Sequence, residues 1–176
     1  MRLFIFIVVL VLVVPALVFA QGMGWSLVNW KVRHDFPTVR RITTSETAAW
    51  LKDEKRPRPV LLDVRTKAEY DVSHIRGAQR VEPGSDASTL QLPRERPIVT
   101  YCSVGYRSGA FAEKLQDAGY TNVRNMSGSI FQWANESRPL ERDGQPAKKV
   151  HPYNGVWGKL LNAPLRAAVP AAGDDM

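Results

Sequence analysis

The 176-residue sequence holds one cysteine, Cys102, and three widely separated histidines, His34, His74 and His151. A lone thiol excludes an intramolecular disulfide and a cysteine-rich zinc or iron–sulfur site, and the scattered histidines supply no metal-ligand spacing. Neither a metal nor another cofactor is expected. Missing too is a stripe of Lys and Arg interleaved with aromatics, which tracking a phosphate backbone would require. The chain has 24 basic and 17 acidic residues, a net charge of +7, but the stretch from Ser45 to Gln145 is nearly balanced and the excess lies in the flanks. Nucleic acid is therefore not expected as a partner. Internal repeats are absent, and the length and 44% apolar content are those of one globular domain.

What is present starts with an apolar run of twelve residues, Leu3 to Val14, behind Met1 and Arg2. The run has the length of a secretory core segment, Pro15 ends its helix, and Val18 with Ala20 form the small-residue pair that precedes cleavage after Ala20. The alternative is an uncleaved anchor over Leu3 to Ala20, with Trp25 and Trp30 at the interface; the membrane is a partner only in that case. No cysteine follows the run to accept a lipid. Both readings put the domain outside the cytoplasm, in the periplasm or another extracytoplasmic space. A single unpaired thiol there calls for a chemical reason.

After residues 1–20, residues 21–41 read as an extended basic and aromatic lead-in containing Pro37. Thr43 and Glu46 have capping-box spacing and open a short helix over Thr47 to Leu51. Pro59 to Arg65 and Pro97 to Tyr101 are short, continuously apolar runs, as expected of strands buried on both faces. Further strands are expected at Ala78 to Val81 and Asn122 to Met126, with helices over Ser108 to Ala118 and Gly128 to Asn135. Pro139, Gly144 and Pro146 then break regular structure, so the core is expected to close near Arg142 and the domain to span 42–145. Residues 146–176 form an extension that docks on the domain or a partner through Tyr153, Val156, Trp157, Leu160 and Leu161, and frays at its end. Alternating strands and helices predict an α/β fold with a mostly parallel sheet and a ligand site beyond the strands' carboxyl ends.

Cys102 stands at such an end. In Cys102-Ser103-Val104-Gly105-Tyr106-Arg107-Ser108 a thiol, a turn glycine and an arginine meet at the mouth of a helix. Backbone N–H groups of Ser103 to Ser108 can then surround one sulfur as an anion cradle, with Arg107 as fixed charge for an incoming anion. That setting favours thiolate over thiol, and the same donors suit the outer sulfur of a persulfide. Asp63 and Arg65 are expected to support the loop by pairing with backbone or each other, Arg65 bracing the turn through Glu69. His74 and Asp63 have the residue types of a cysteine hydrolase triad, but an N–H cradle makes a separate base unnecessary. Tyr101 and Tyr106 are candidates for lining the pocket.

Leu61-Leu62-Asp63-Val64-Arg65, Glu69-Tyr70, His74-Ile75-Arg76-Gly77-Ala78, the Tyr101 to Ser108 loop, Gly119-Tyr120, Asn122-Val123, Gly128 and Trp133 closely resemble, in order, a single-domain rhodanese. Arg76 stands where that family often has Pro, and Ser129 where it usually has a second Gly. The resemblance implies a rhodanese-like fold with helices on both faces of the sheet, and a structural His74. It also implies that Cys102 takes a sulfane sulfur from a small donor such as thiosulfate and passes it to a thiol or cyanide. Four residues separate Cys102 from Arg107; the related phosphatases have five, a wider cradle for a tetrahedral phosphate. The other reading is a binding or sulfur-relay module without turnover, serving a partner protein through its flanks.

Overall fold

The computed structural model describes residues 22–168. The apolar run from Leu3, the Ala20–Gln21 junction and the end of the chain lie outside them. Among the described residues no helix is long and apolar enough to cross a membrane.

Five strands form a parallel sheet in the order β1 (Arg41–Ile42), β6 (Val123–Met126), β5 (Ile98–Tyr101), β2 (Val60–Asp63), β4 (Gln79–Arg80). In β5 every residue is buried, as the unbroken apolar run predicted. Helices flank the sheet: α2 (Thr44–Lys52), α3 (Lys67–Val72), α4 (Tyr106–Asp117) and α5 (Ser129–Asn135). The capping box of α2 forms as read, with the Glu46 N–H donating to Thr43 Oγ1 and the Thr43 N–H to the Glu46 carboxylate. Chain order reverses between β2 and β5: β2 leads to β4 on one side, and β5 leads to β6 on the other. Loops leaving these two strands diverge, and that crevice is where an α/β sheet places its site.

Three parts of the chain depart from the sequence reading. Residues 22–35 are not extended but form a helix, α1. It buries Val28 and Val32, followed by Phe36, at a four-residue spacing that puts them on one face. A Cβ on Gly109 would stand 2.6 Å from Phe36 Cδ2, so the missing side chain lets this end of α1 settle on α4. Pro139 to Ala147 does not break structure: β7 (Leu140–Arg142) and β8 (Gln145–Ala147) form a hairpin that turns at Asp143 and Gly144, φ +50° and +74°. β7 pairs antiparallel with β3 (His74–Ile75), and Arg76 donates to Glu141 of this hairpin at 3.1 Å. The core does not close near Arg142 either, because Val150, Leu160 and Leu161 are buried in it. Asn135 holds this segment, donating to the Leu160 carbonyl and accepting from the Asn162 N–H, both at 2.8 Å.

Candidate active site

Cys102 directly follows β5 and is 1% exposed. Gly105 turns the chain into α4 at φ +111°, a backbone conformation closed to side chains, and its N–H donates to Cys102 Sγ at 3.2 Å. The helix begins at the next residue, so its positive end faces the sulfur. Three ties fix the loop. The Cys102 N–H donates to Ser129 Oγ, which itself donates to the Met126 carbonyl. The Cys102 and Ser103 carbonyls accept from the Ile130 and Phe131 N–H groups in the first turn of α5. Asn125 accepts from Ser108 Oγ and donates to the Gly105 carbonyl, both at 2.8 Å. Ser129, at φ +48°, keeps its strained backbone in the place of the usual glycine while its hydroxyl anchors the cysteine.

Asp63 and Arg65 are fully buried and pair with each other, Arg65 Nη2 lying 2.6 Å from Asp63 Oδ2. Arg65 also donates to the Ser73 and Glu69 carbonyls, so it ties the end of β2 to α3 through backbone. The expected bracing through Glu69 thus runs through its carbonyl and not its carboxylate. That carboxylate faces Arg107 instead, accepting from Nη1 and Nη2 at 2.8 and 2.7 Å and from Ser103 Oγ at 2.9 Å, while it also caps α3 at Thr66. The charge read as awaiting an anion is thus engaged in a bidentate pair that clamps the cysteine loop to α3. Tyr101 is buried and accepts from the Ile75 N–H rather than lining the site. His74 stacks on Tyr70 at 3.8 Å and faces Glu141, a structural placement and not that of a general base.

Burial alone would raise the Glu69 pKa, but hydrogen bonds from Arg107, its charge, and the Thr66 and Ser103 donors outweigh that and hold it at about 2. A carboxyl lowered on folding stabilises the protein above its unfolded value, near 4.5, and loses that contribution as pH falls toward about 2. Acidification from pH 5.5 to 3 is therefore expected to remove ~2 kcal/mol through this group. Urea titrations at the two pH values check this: Glu69→Gln has the shallower pH dependence, and equal dependence in both proteins would refute the assignment.

Above Cys102 lies a cavity of ≈ 250 Å³ lined by Ser103, Val104, Tyr106 and Arg107 of the loop, Val28 and Lys31 of α1, and Tyr153 and Trp157 of the C-terminal segment. Sequence reading found the loop and missed the other walls. Their signals are the four-residue spacing in α1 and the aromatics beyond Pro152.

Comparison with known proteins agrees with this fold. The rhodanese-like domain family matches residues 47–136. The chain is 33% identical over 101 residues to the probable adenylyltransferase/sulfurtransferase MoeZ of Mycobacterium tuberculosis, covering 56% of this chain and 25% of MoeZ. It is 36% identical over 86 residues to the adenylyltransferase and sulfurtransferase UBA4 of Meyerozyma guilliermondii, covering 44% and 20%. The chain thus spans a quarter or less of the length of these two relatives. A rhodanese-like domain protein from Staphylococcus aureus superimposes with a TM-score of 0.53 at 25% identity, over 60% of this chain and all of that one. The family match spans just over half of the chain and includes Cys102 and its loop, and the chain belongs to the rhodanese-like domain family.

Proposed function

We propose that the protein is a sulfurtransferase that moves a sulfane sulfur from a donor of the thiosulfate type to a thiol or cyanide through a Cys102 persulfide, outside the cytoplasm and without a cofactor. The observation that carries this reading is the Gly105 N–H on Cys102 Sγ at 3.2 Å, at the start of α4 and the floor of a cavity. The thiolate attacks the terminal sulfur of the donor, a sulfur–sulfur bond forms to Cys102, and the donor's own sulfur–sulfur bond breaks with its electron pair leaving on sulfite. The persulfide anion keeps the charge where N–H donors and the helix end stabilise it. An acceptor thiolate or cyanide then takes the outer sulfur and returns Cys102 as thiolate.

Cys102 at the base of a small cavity favours turnover on small molecules over a relay that must admit a partner protein's cysteine. Extracytoplasmic placement rests on the apolar run behind Arg2, and any membrane attachment rests on that run staying uncleaved. The experiment is to load the protein with donor, remove free donor, and add cyanide. One thiocyanate released per chain is expected; a desalted protein that releases none would overturn the reading.

A further inference from the structure

The cavity's two cations are both neutralised. Lys31 Nζ lies 2.8 Å from the Asp35 carboxylate, which also accepts from Tyr106 Oη at 2.9 Å. Arg107 is paired with Glu69, and the Tyr153 ring covers the guanidinium at 4.6 Å. A small, strongly hydrated dianion entering here exchanges its water for a wall whose charges are already compensated, which is unfavourable. The rest of the wall, Val28, Val104, Tyr106, Tyr153 and Trp157, offers aliphatic and aromatic carbon. Its volume of ≈ 250 Å³ far exceeds the ~10–15 Å³ that one water needs.

Tyr153 holds a left-handed backbone, φ +65°, which a bulky side chain rarely adopts. Its N–H donates to His151 Nδ1 at 3.0 Å. Because a backbone N–H can only donate, this imidazole is neutral with its proton on Nε2. Strain retained by a specific bond, at a residue forming the roof of the cavity, marks a built wall and not a loose tail. Val28, Lys31, Tyr153 and Trp157 all lie outside residues 47–136, so this wall belongs to the chain's own additions to the family domain.

We infer that the cavity selects organic sulfane donors with a compact apolar or aromatic body, such as thiosulfonates R–SO2–S⁻, over thiosulfate. This rests on the persulfide reading above and names its substrate class. The apolar body sits against Trp157, Tyr153 and Val28 while the terminal sulfur reaches the Gly105 N–H. Cys102 thiolate attacks that sulfur, the new sulfur–sulfur bond forms, and the donor's sulfur–sulfur bond breaks with the electron pair leaving on the sulfinate R–SO2⁻. One negative charge stays on the persulfide and one departs.

The test uses the full chain with benzenethiosulfonate and thiosulfate as donors and cyanide as acceptor, with a free small thiol measuring the donors' intrinsic reactivity ratio. Relative to that ratio, kcat/KM is expected to favour benzenethiosulfonate at least ~tenfold, a preference that apolar burial can supply. The preference is expected to fall several-fold in Trp157→Ala and to return in Trp157→Phe; Trp157 is 37% exposed, so its removal leaves the core intact. A ratio no larger than that of the free thiol, or one unchanged in Trp157→Ala, would overturn the inference while sulfur transfer itself stood. Failure of both donors to load Cys102 would instead overturn the persulfide reading.

Discussion

Cys102→Ala is expected to bring sulfur transfer down to the uncatalysed rate, a loss of more than ~10³-fold, in a protein that still folds. Cys102 is the one cysteine in the sequence, so no second thiol can carry the sulfur. The change removes one buried sulfur and leaves the Gly105 N–H without its acceptor, a cost of about 1 kcal/mol. The bond that the residue 102 N–H donates to Ser129 Oγ, and those that the carbonyls of residues 102 and 103 accept from Ile130 and Phe131, use backbone atoms and survive the substitution. Thiocyanate formation and a thermal melt check both halves. A variant retaining a tenth of the wild-type rate would remove Cys102 from the mechanism.

Arg107→Ala has the second large effect, and it acts first on stability. Glu69 is 2% exposed, and without the guanidinium its carboxylate stays buried with hydroxyl and backbone donors alone. Removing one partner of a buried pair costs about 3 kcal/mol, or roughly 6–12 °C in Tm for a chain of this size. Arg107→Lys keeps the charge and loses the fork, so it is expected to fall between the two. Adding Glu69→Gln to Arg107→Ala removes the uncompensated charge and is expected to recover part of the loss. Loop disorder in Arg107→Ala should slow anionic and neutral donors alike, because Glu69 already neutralises the arginine. A melt unchanged from wild type, or a loss confined to anionic donors, would contradict the clamp and restore Arg107 as a free anion-binding charge.

Those features that depend on short segments were readable from the sequence. Buried parallel strands announce themselves as unbroken apolar runs, which located β2 and β5, and the capping box of α2 is a four-residue pattern. The cysteine loop is equally local, since Gly105 and the start of α4 lie within four residues of the thiol. Pairings across the chain were not readable. Glu69 and Arg107 are 38 residues apart and meet because β2 and β5 are neighbours; the nearer Arg65 reaches only the Glu69 carbonyl, because Asp63 takes its charge. The β7–β8 hairpin carried an Asp-Gly turn signal, yet its flanks lack the apolar alternation that marks a strand. In α1 the basic and aromatic composition and Pro37 mask the spacing of Val28, Val32 and Phe36. Tyr153 reaches the site on a segment that the burial of Val150, Leu160 and Leu161 holds against the core.

The central claim is that Cys102 carries sulfur, and the mass of the intact protein, before and after incubation with benzenethiosulfonate or thiosulfate, tests it most directly. The account predicts a gain of one sulfur atom, located on the peptide containing Cys102 and removed by cyanide or a thiol. The untreated spectrum also reports whether the chain starts at Gln21. An unchanged mass with both donors, or an added sulfur that no acceptor removes, would contradict it.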